Sequence, residues 1–153
     1  MPDYIKAKMA GPLGEHLDRY LATNGADGHL LDMRFAGGHD NTPTLLLFTI
    51  GRKSGDRIVL PLIYGVDGDS YVIVASKGGA PIHPGWYLNL VETPECDIQV
   101  GSERFKARAR DAVGAERQRL WEMMVEVYPP YTDYQQATSR EIPVVVLDRA
   151  QEP

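Results

Sequence analysis

Cysteine and long apolar runs are scarce in this sequence. Cys96 is the only cysteine among 153 residues, so the chain cannot form an internal disulfide and does not depend on an oxidising compartment. Charged residues between Lys6 and Asp18 interrupt the apolar positions near the start, which is atypical of a signal peptide or a membrane span. We therefore expect a cytoplasmic protein.

Positive charge is also in deficit. The chain has 16 lysines and arginines against 21 aspartates and glutamates, which gives a net charge of −5. This balance disfavours the broad positive field that nucleic-acid binding needs, so any basic site must be local. The length of 153 residues fits one domain that spans residues 1–153.

The common catalytic and metal-binding signatures are missing. The sequence has neither G-x-G-x-x-G nor G-x-x-x-x-G-K-[ST], so it does not predict a Rossmann or P-loop phosphate site. The four histidines have no metal-ligand spacing and Cys96 has no second thiol, so we expect no metal site. No G-x-S-x-G surrounds a serine, and Ser76 beside Lys77 does not match S-x-x-K, so no motif supports hydrolase chemistry.

What the sequence does contain is a series of short β patterns. Asp67 and Gly68 indicate a hairpin turn, and Gly101 joins a second hairpin. A further apolar run, 141–148, has the length of a strand. The segments rich in β-branched and aromatic residues are 44–50, 57–66 and 70–76, and the strands of the second hairpin are 96–100 and 104–110.

Helical patterns flank these strands. Within residues 1–35, apolar residues from Leu13 to Leu21 recur at helical spacing, and this helix either lies on its own domain or contacts a membrane surface. Residues 83–92 and 114–128 predict two further helices. Together the elements predict an α+β fold in which the antiparallel sheet of residues 44–148 curls into a small barrel with an N-terminal helix and flanking helices.

Three segments are candidate sites. The turn TIGRKSGDR, residues 49–57, groups three cations that suit a phosphate or carboxylate, although exposed turns often carry such residues for solubility alone. Residues 75–89 pass two glycines and enter a helix carrying Trp86, which either covers a planar ligand or plugs the barrel end. The tyrosines of YPPYTDY, residues 128–134, either form a polar face at a site or pack in the core.

The order of these motifs resembles the deazaflavin (coenzyme F420)-dependent nitroreductase and quinone reductase family. The resemblance runs from about Leu45 to Asp148 and is carried by G-R-K-S-G, P-L-x-Y, V-A-S-K-G-G, P-x-W-Y-L-N-L, A-R-D, Y-P-x-Y-x-D-Y and I-P-V-V-V. It implies the split β-barrel of flavin-mononucleotide-binding proteins, and it implies coenzyme F420 as the hydride donor. The phosphodiester and oligoglutamate tail of that coenzyme would explain the local cluster of cations.

The resemblance also implies the roles of particular residues. Tyr131, Tyr128, Tyr134 and Ser76 are the catalytic candidates that hydrogen-bond charge on the acceptor. The residues implied to bind the coenzyme are Arg52, Lys53, Ser54, Gly55, Ile58, Val59, Leu60, Val74, Ala75, Ser76, Lys77, Gly85, Trp86, Tyr87, Leu88, Asn89 and Tyr131.

One position departs from the family pattern. The family often carries a cation where this chain has Ile58, and the nearest cation here is Arg57, one place earlier. Because a shift of one residue in a strand reverses the side chain's facing, the sequence leaves open whether Arg57 reaches the coenzyme tail.

The function expected from this resemblance is reduction of quinones, enones or nitroaromatics by reduced coenzyme F420. Two alternatives stay open: a flavin-mononucleotide oxidoreductase on the same fold, and a non-catalytic deazaflavin carrier. The expected partners are a small-molecule electron acceptor and no nucleic acid. The chain is expected to be a monomer or a weak homodimer, with peripheral contact at the inner face of the membrane as an alternative for its N-terminal helix.

Overall fold

Short strands and four helices alternate along the chain. The structure, a computed structural model, describes residues 3–9 and 11–150, so residues 1, 2, 10 and 151–153 of the predicted domain lie outside it. The helices are α1 Gly11–Ala22, α2 Gly85–Glu92, α3 Gly114–Val127 and α4 Tyr131–Gln136. The strands are β1 Ile5–Lys6, β2 Leu30–Leu31, β3 Thr42–Ile50, β4 Arg57–Ile63, β5 Gly65–Asp67, β6 Ser70–Val74, β7 Glu95–Val100, β8 Glu103–Asp111 and β9 Val144–Arg149.

The strand predictions are confirmed, with one correction. β3 pairs antiparallel with β4, and β7 forms the second predicted hairpin with β8. The single strand predicted over residues 57–66 is wrong, because the chain leaves β3 at Tyr64 and pairs with β6 as β5. Gly65 begins β5, and a Cβ there would lie 2.6 Å from Met124 Sδ, so glycine at this position lets α3 pack closely against the strand.

The strands form one mixed sheet in the order β1-β4-β3-β7-β8-β9-β6-β5, with β2 paired to β3. All the pairings are antiparallel except that of β1 with β4. One face of the sheet contributes a shared core from strands far apart in this order, including Leu47 of β3, Ile73 of β6 and Leu147 of β9. The sheet is therefore strongly curved, and the fold is α+β with a large, mostly antiparallel sheet and few helices.

Helices α3 and α4 cover part of the opposite face. Leu120 and Met124 of α3 are fully buried, and they pack in one cluster with Val72 of β6 and Val146 of β9. This confirms the apolar helical face predicted from residues 114–128. Since α4 follows α3 directly, the same packing places the tyrosine segment at the end of the sheet.

Helix α1 confirms the predicted N-terminal helix and lies on the sheet. Its buried face carries Leu17 and Tyr20, which pack with Leu46 and Phe48 of β3 and Val59 of β4. The apolar side chains of α1, which the sequence also allowed to contact a membrane, thus pack largely against the sheet. None of the helices in the described part of the chain has the length and apolar character needed to cross a bilayer.

The hydroxyl of Tyr20 joins α1 to two strands. It lies 3.1 Å from the carbonyl oxygen of Thr44 and 3.3 Å from that of Gln99, and it accepts a hydrogen bond from Gly101 N at 2.9 Å. Gly25, just after α1, has φ +87° and sits so close that a Cβ would clash with the carbonyl group of Gly101. Helix α1 and the β7–β8 turn are therefore held together by a buried phenol and a close glycine contact.

We predict that Tyr20→Phe lowers the free energy of unfolding by about 1 to 3 kcal/mol, because Gly101 N–H and the two carbonyl oxygens lose a buried partner. Urea unfolding measures the change. Tyr71→Phe is the matched control, since the described hydrogen bonds include none from the Tyr71 hydroxyl, and it should change stability by less than about 0.5 kcal/mol. Equal losses in the two variants would contradict this role for Tyr20.

Candidate active site

Two cavities meet between β4, the end of β6 and the start of α2. One has a volume of about 660 Å³ and is called here the basic cavity; the other, of about 420 Å³, is called the tyrosine cavity. Both are lined by Met9, Leu60, Lys77, Pro84 and Trp86. Because they share these walls, the two cavities form one continuous groove.

The basic cavity concentrates positive charge in an acidic chain. Among the described residues that line it there is no aspartate or glutamate. Its cations are Lys6, Lys8, Arg52, Lys53 and Lys77. A groove with cations on several sides attracts a ligand that carries more than one negative charge.

Arg52 is held in place by the neighbouring helix. Its backbone N–H and its Nη1 donate to Asn89 Oδ1 at 3.1 and 2.9 Å, and Nη1 also lies 3.3 Å from the Gly85 carbonyl oxygen. Asn89 in turn donates from Nδ2 to Thr49 Oγ1 at 3.1 Å. These contacts engage Nη1, so the remaining guanidinium N–H groups are the ones left for a ligand.

The turn between β3 and β4 presents Lys53 and Ser54 at the rim. Ser54 Oγ accepts a hydrogen bond from Asp56 N at 3.1 Å, which closes the turn, and Gly55 takes a φ of +76°. Lys53 is exposed and makes no ion pair with a described residue. The structure thus keeps Lys53 unpaired at the mouth of the basic cavity.

Arg57 points elsewhere. Its Nη1 donates to Asp3 Oδ2 at 2.8 Å and lies 3.7 Å from Asp97 Oδ2, and the residue lines a separate cavity rather than the groove. Ile58, one place later, does line the basic cavity. The alternation of side chains along β4 therefore takes Arg57 away from the groove, a point that the sequence left open.

The turn after β6 forms the wall between the two cavities. Lys77, Gly78 and Gly79 all have positive φ, at 45°, 62° and 82°. Lys77 is one of only two non-glycine residues with positive φ among those described, so its backbone is strained relative to an ordinary loop residue. Ser76, just before it, is 9% exposed and lines the tyrosine cavity.

Arg140 stabilises this turn from behind. Its guanidinium donates to three backbone carbonyl oxygens, those of Ala80 at 2.8 Å, Ala75 at 3.2 Å and Ser76 at 2.7 Å, and Nη1 lies 3.1 Å from His83 Nδ1. Burial lowers the pKa of Arg140 from its usual value, yet arginine stays charged at neutral pH. A fixed cation thus sets the path of the backbone that carries Ser76 and Lys77.

The tyrosine cavity brings all three predicted tyrosines together. Tyr128 and Tyr134 are linked through their hydroxyls at 3.0 Å, and the Tyr128 and Tyr131 rings meet edge to face at 5.0 Å. The Tyr131 hydroxyl makes none of the described hydrogen bonds, although the residue lines the cavity. Of the three phenols, that of Tyr131 is thus the one without a partner among the described hydrogen bonds.

The surroundings keep the phenols of Tyr131 and Tyr128 protonated. Burial raises the pKa of Tyr131 far above its usual value, and the neighbouring Tyr128 and Tyr134 raise it further. Burial, and then the hydrogen bond with Tyr134, also raises the pKa of Tyr128. At neutral pH both groups are therefore hydrogen-bond donors rather than phenolates.

The groove contains most, but not all, of the residues predicted from the sequence. Trp86 and Asn89 lie one helical turn apart on the face of α2 that lines it, whereas Tyr87 turns away and donates to Asp111 Oδ2 at 2.7 Å. Four other predicted positions do not line either cavity: Gly55, Val59, Ala75 and Leu88. Val59 and Ala75 are fully buried in the cores behind the groove.

Several residues in the groove were missed by sequence reasoning. Lys6, Lys8 and Met9 come from the segment before α1, and no local signal in the sequence links them to β4. His16 lines the tyrosine cavity as well; its Nε2 donates to the Gly28 carbonyl oxygen at 2.7 Å, and its buried Nδ1 has no partner among the described residues. The parallel pairing of β1 with β4 is what brings the N-terminal residues to the groove.

Comparison with known proteins identifies the family of this chain. The sequence model of the F420H(2)-dependent quinone reductase family matches residues 13–149. An F420H(2)-dependent quinone reductase of Mycobacterium tuberculosis is 45% identical over 133 residues, which are 85% of this chain and 85% of that protein.

Two solved structures are also similar. One, titled as an F420-H2 dependent reductase, has a TM-score of 0.65 and 39% identity and covers 78% of this chain and 98% of its own. The other, titled as a domain-swapped dimer, has a TM-score of 0.68 and 38% identity. The match covers 88% of this chain and 96% of that chain. With a family match over most of its length and the basic and tyrosine-lined groove that the motifs indicated, this chain belongs to the F420H(2)-dependent quinone reductase family.

Proposed function

We propose that this chain uses reduced coenzyme F420 to reduce quinones, and that enones and nitroaromatics of similar shape are also accepted. The observation that carries the proposal is the junction of the two cavities, one lined by cations and the other by tyrosines, at Lys77 and Trp86. The first suits the anionic part of the coenzyme and the second suits a flat acceptor.

The donors in the groove fit the coenzyme. Arg52, Lys53 and Lys77 would bind the phosphodiester and the tail, and Ser54 would add a hydroxyl at the rim. Leu60, Val74 and Trp86 would line the ring, with the Gly85 and Asn89 positions beside it. When bound, the reduced coenzyme supplies a hydride.

The residues of the tyrosine cavity would stabilise charge on the acceptor. As a quinone is reduced, negative charge develops on its oxygen, and donors fixed in advance at that position lower the barrier. The hydroxyls of Tyr131 and Ser76 have no partner among the described hydrogen bonds and are proposed as these donors. Tyr128 and Tyr134, already joined to each other, would hold Tyr131 in position, and the proton would come from solvent.

We also propose finer features of the architecture. The shared core of the curved sheet supports a split β-barrel that is open between β4 and β6, with residues 1–153 as one domain. The similar structure titled as a domain-swapped dimer supports a weak homodimer as an alternative to a monomer. A cytoplasmic location is supported by the single, buried Cys96.

The basic cavity favours coenzyme F420 over flavin mononucleotide. A single phosphate has fewer anionic oxygens than a phosphodiester with an oligoglutamate tail, so it engages fewer of the cations. A pure carrier is disfavoured by the adjoining tyrosine cavity of about 420 Å³, because a carrier has no need of space beside its ligand.

Coenzyme preference is the first test. We predict that the protein binds oxidised coenzyme F420 tightly and flavin mononucleotide much more weakly, as followed by the fluorescence of each compound. Affinity for coenzyme F420 should fall as salt rises above the physiological range, where the Debye length is about 8 Å, because several charges take part. Equal affinity for the two compounds would contradict the proposed function.

The cations of the groove give the second test. Lys53→Ala and Lys77→Ala should each weaken binding of oxidised coenzyme F420 by at least about fivefold, with little effect on unfolding, because each removes a charge-assisted contact. Lys106→Ala is the matched control, since Lys106 is exposed and lines a different cavity. If isothermal titration gave an unchanged dissociation constant for both groove variants, these lysines would be solvated surface residues that do not bind the coenzyme.

The third test concerns the tyrosines. We predict that Tyr131→Phe slows quinone reduction about tenfold or more, equivalent to roughly 1.4 kcal/mol of lost transition-state stabilisation, while coenzyme affinity changes less. Stopped-flow oxidation of the reduced coenzyme by menadione measures the rate. Tyr87→Phe is the control, because its hydroxyl lies outside both cavities and bonds to Asp111. Wild-type rates in the Phe variants of Tyr128, Tyr131 and Tyr134 would show that the tyrosines only pack.

A further inference from the structure

The segment before α1 forms one side of the basic cavity. This segment, Asp3–Met9, is called here the N-terminal strap. Its strand β1 runs parallel to β4, with Ile5 opposite Ile58, and Ala7 N donates to the Val59 carbonyl oxygen at 2.9 Å. Every residue of the strap from Ile5 to Met9 lines the basic cavity.

Contacts at both ends of the strap fix its position. At its start, Asp3 accepts hydrogen bonds from Arg57 Nη1 at 2.8 Å and from Arg104 Nη2 at 3.1 Å. At its end, Met9 reaches α1 so closely that a Cβ on Gly14 would clash with the Met9 carbonyl oxygen. The strap is therefore tied to the sheet at one end and to the helix at the other.

The two lysines of the strap differ in their partners. Lys6 Nζ donates to Asp18 Oδ1 at 2.8 Å, and this hydrogen bond raises the pKa of Lys6 and offsets its charge. Lys8 is exposed, lines the cavity and makes no ion pair or hydrogen bond with a described residue. Lys8 is thus the strap cation whose charge is free for a ligand.

The position of Lys8 extends the positive wall of the groove. Arg52 and Lys53 come from the turn after β3, and Lys77 comes from the turn after β6. Lys8 adds a cation from a separate element, the strap beside β4. A ligand with one anionic group cannot engage all of these, whereas a long polyanion can.

We propose that the N-terminal strap is part of the coenzyme site and that Lys8 binds anionic oxygens of the phosphodiester and tail. The inference rests on the proposed function. It assigns a binding role to residues that precede the family match, which begins at residue 13. Phosphate and carboxylate oxygens both accept hydrogen bonds from an ammonium group. Coenzyme forms of different tail length therefore show whether Lys8 binds the phosphodiester or the carboxylates of the tail.

The experiment is a fluorescence titration of wild-type protein and Lys8→Ala with three oxidised ligands. These are coenzyme F420 with several glutamates, coenzyme F420 with one glutamate, and the deazaflavin ring fragment that lacks phosphate and tail. We expect Lys8→Ala to weaken binding of the long-tailed coenzyme about three- to fivefold, the range for an exposed charge pair, and to leave binding of the ring fragment unchanged. Lys8→Arg should restore affinity, and Lys106→Ala should bind like wild type.

The pattern across the ligands decides the outcome. A loss confined to the long-tailed coenzyme assigns Lys8 to the tail carboxylates, and an equal loss for both coenzyme forms assigns it to the phosphodiester side. Unchanged affinity for the long-tailed coenzyme overturns the inference, as does an equal loss for the ring fragment, which would mean a general change in the groove. If wild-type protein binds none of the three ligands, the proposed function itself fails.

Discussion

The partly paired edge of β4 is the constraint on which the site depends. β1 covers this edge only at Ile58 and Val59, and no other described strand continues along it. Pro61 lies further along β4 and lacks the N–H that a neighbouring strand would need, which is compatible with an edge position. Residues 60–63 therefore face a groove instead of another strand, and the end of β6 forms its opposite wall.

Charge is distributed so that this groove stays basic in an acidic protein. Arg57, Arg104 and Arg110 form ion pairs with Asp3 at the start of the N-terminal strap, Asp97 of β7 and Glu116 of α3. These pairs are partly exposed and add little stability individually, but they neutralise carboxylates that do not line the basic cavity. Among the cations that line the basic cavity, only Lys6 makes an ion pair within the described residues.

Backbone positions at the junction of the cavities are fixed by polar contacts from behind. Arg140 binds the carbonyl groups of the turn that carries Ser76 and Lys77, and Asn89 holds Arg52 against α2. The side chains of Arg140 and Asn89 are both distant in sequence from the residues that they hold. The cavity walls are consequently set by the packed fold rather than by loop sequence alone, which suits a site that must align two ligands.

The sequence by itself determined the longer strands, helices α1 to α3 and the set of chemical groups, because alternation, helical spacing and the glycine turns are local signals, whereas β1, β2, α4 and the break between β4 and β5 were not predicted. The ordered motifs were enough to identify the family and to indicate Arg52, Lys53, Lys77 and the tyrosines. Tertiary structure decided which side chains line the groove. Arg57 and Tyr87 lie outside it and bind carboxylates elsewhere, whereas Lys8 and His16 line it. Those outcomes depend on strand facing, on the parallel pairing of β1 with β4 and on the curvature of the sheet, which join residues too far apart in sequence for any local pattern to encode.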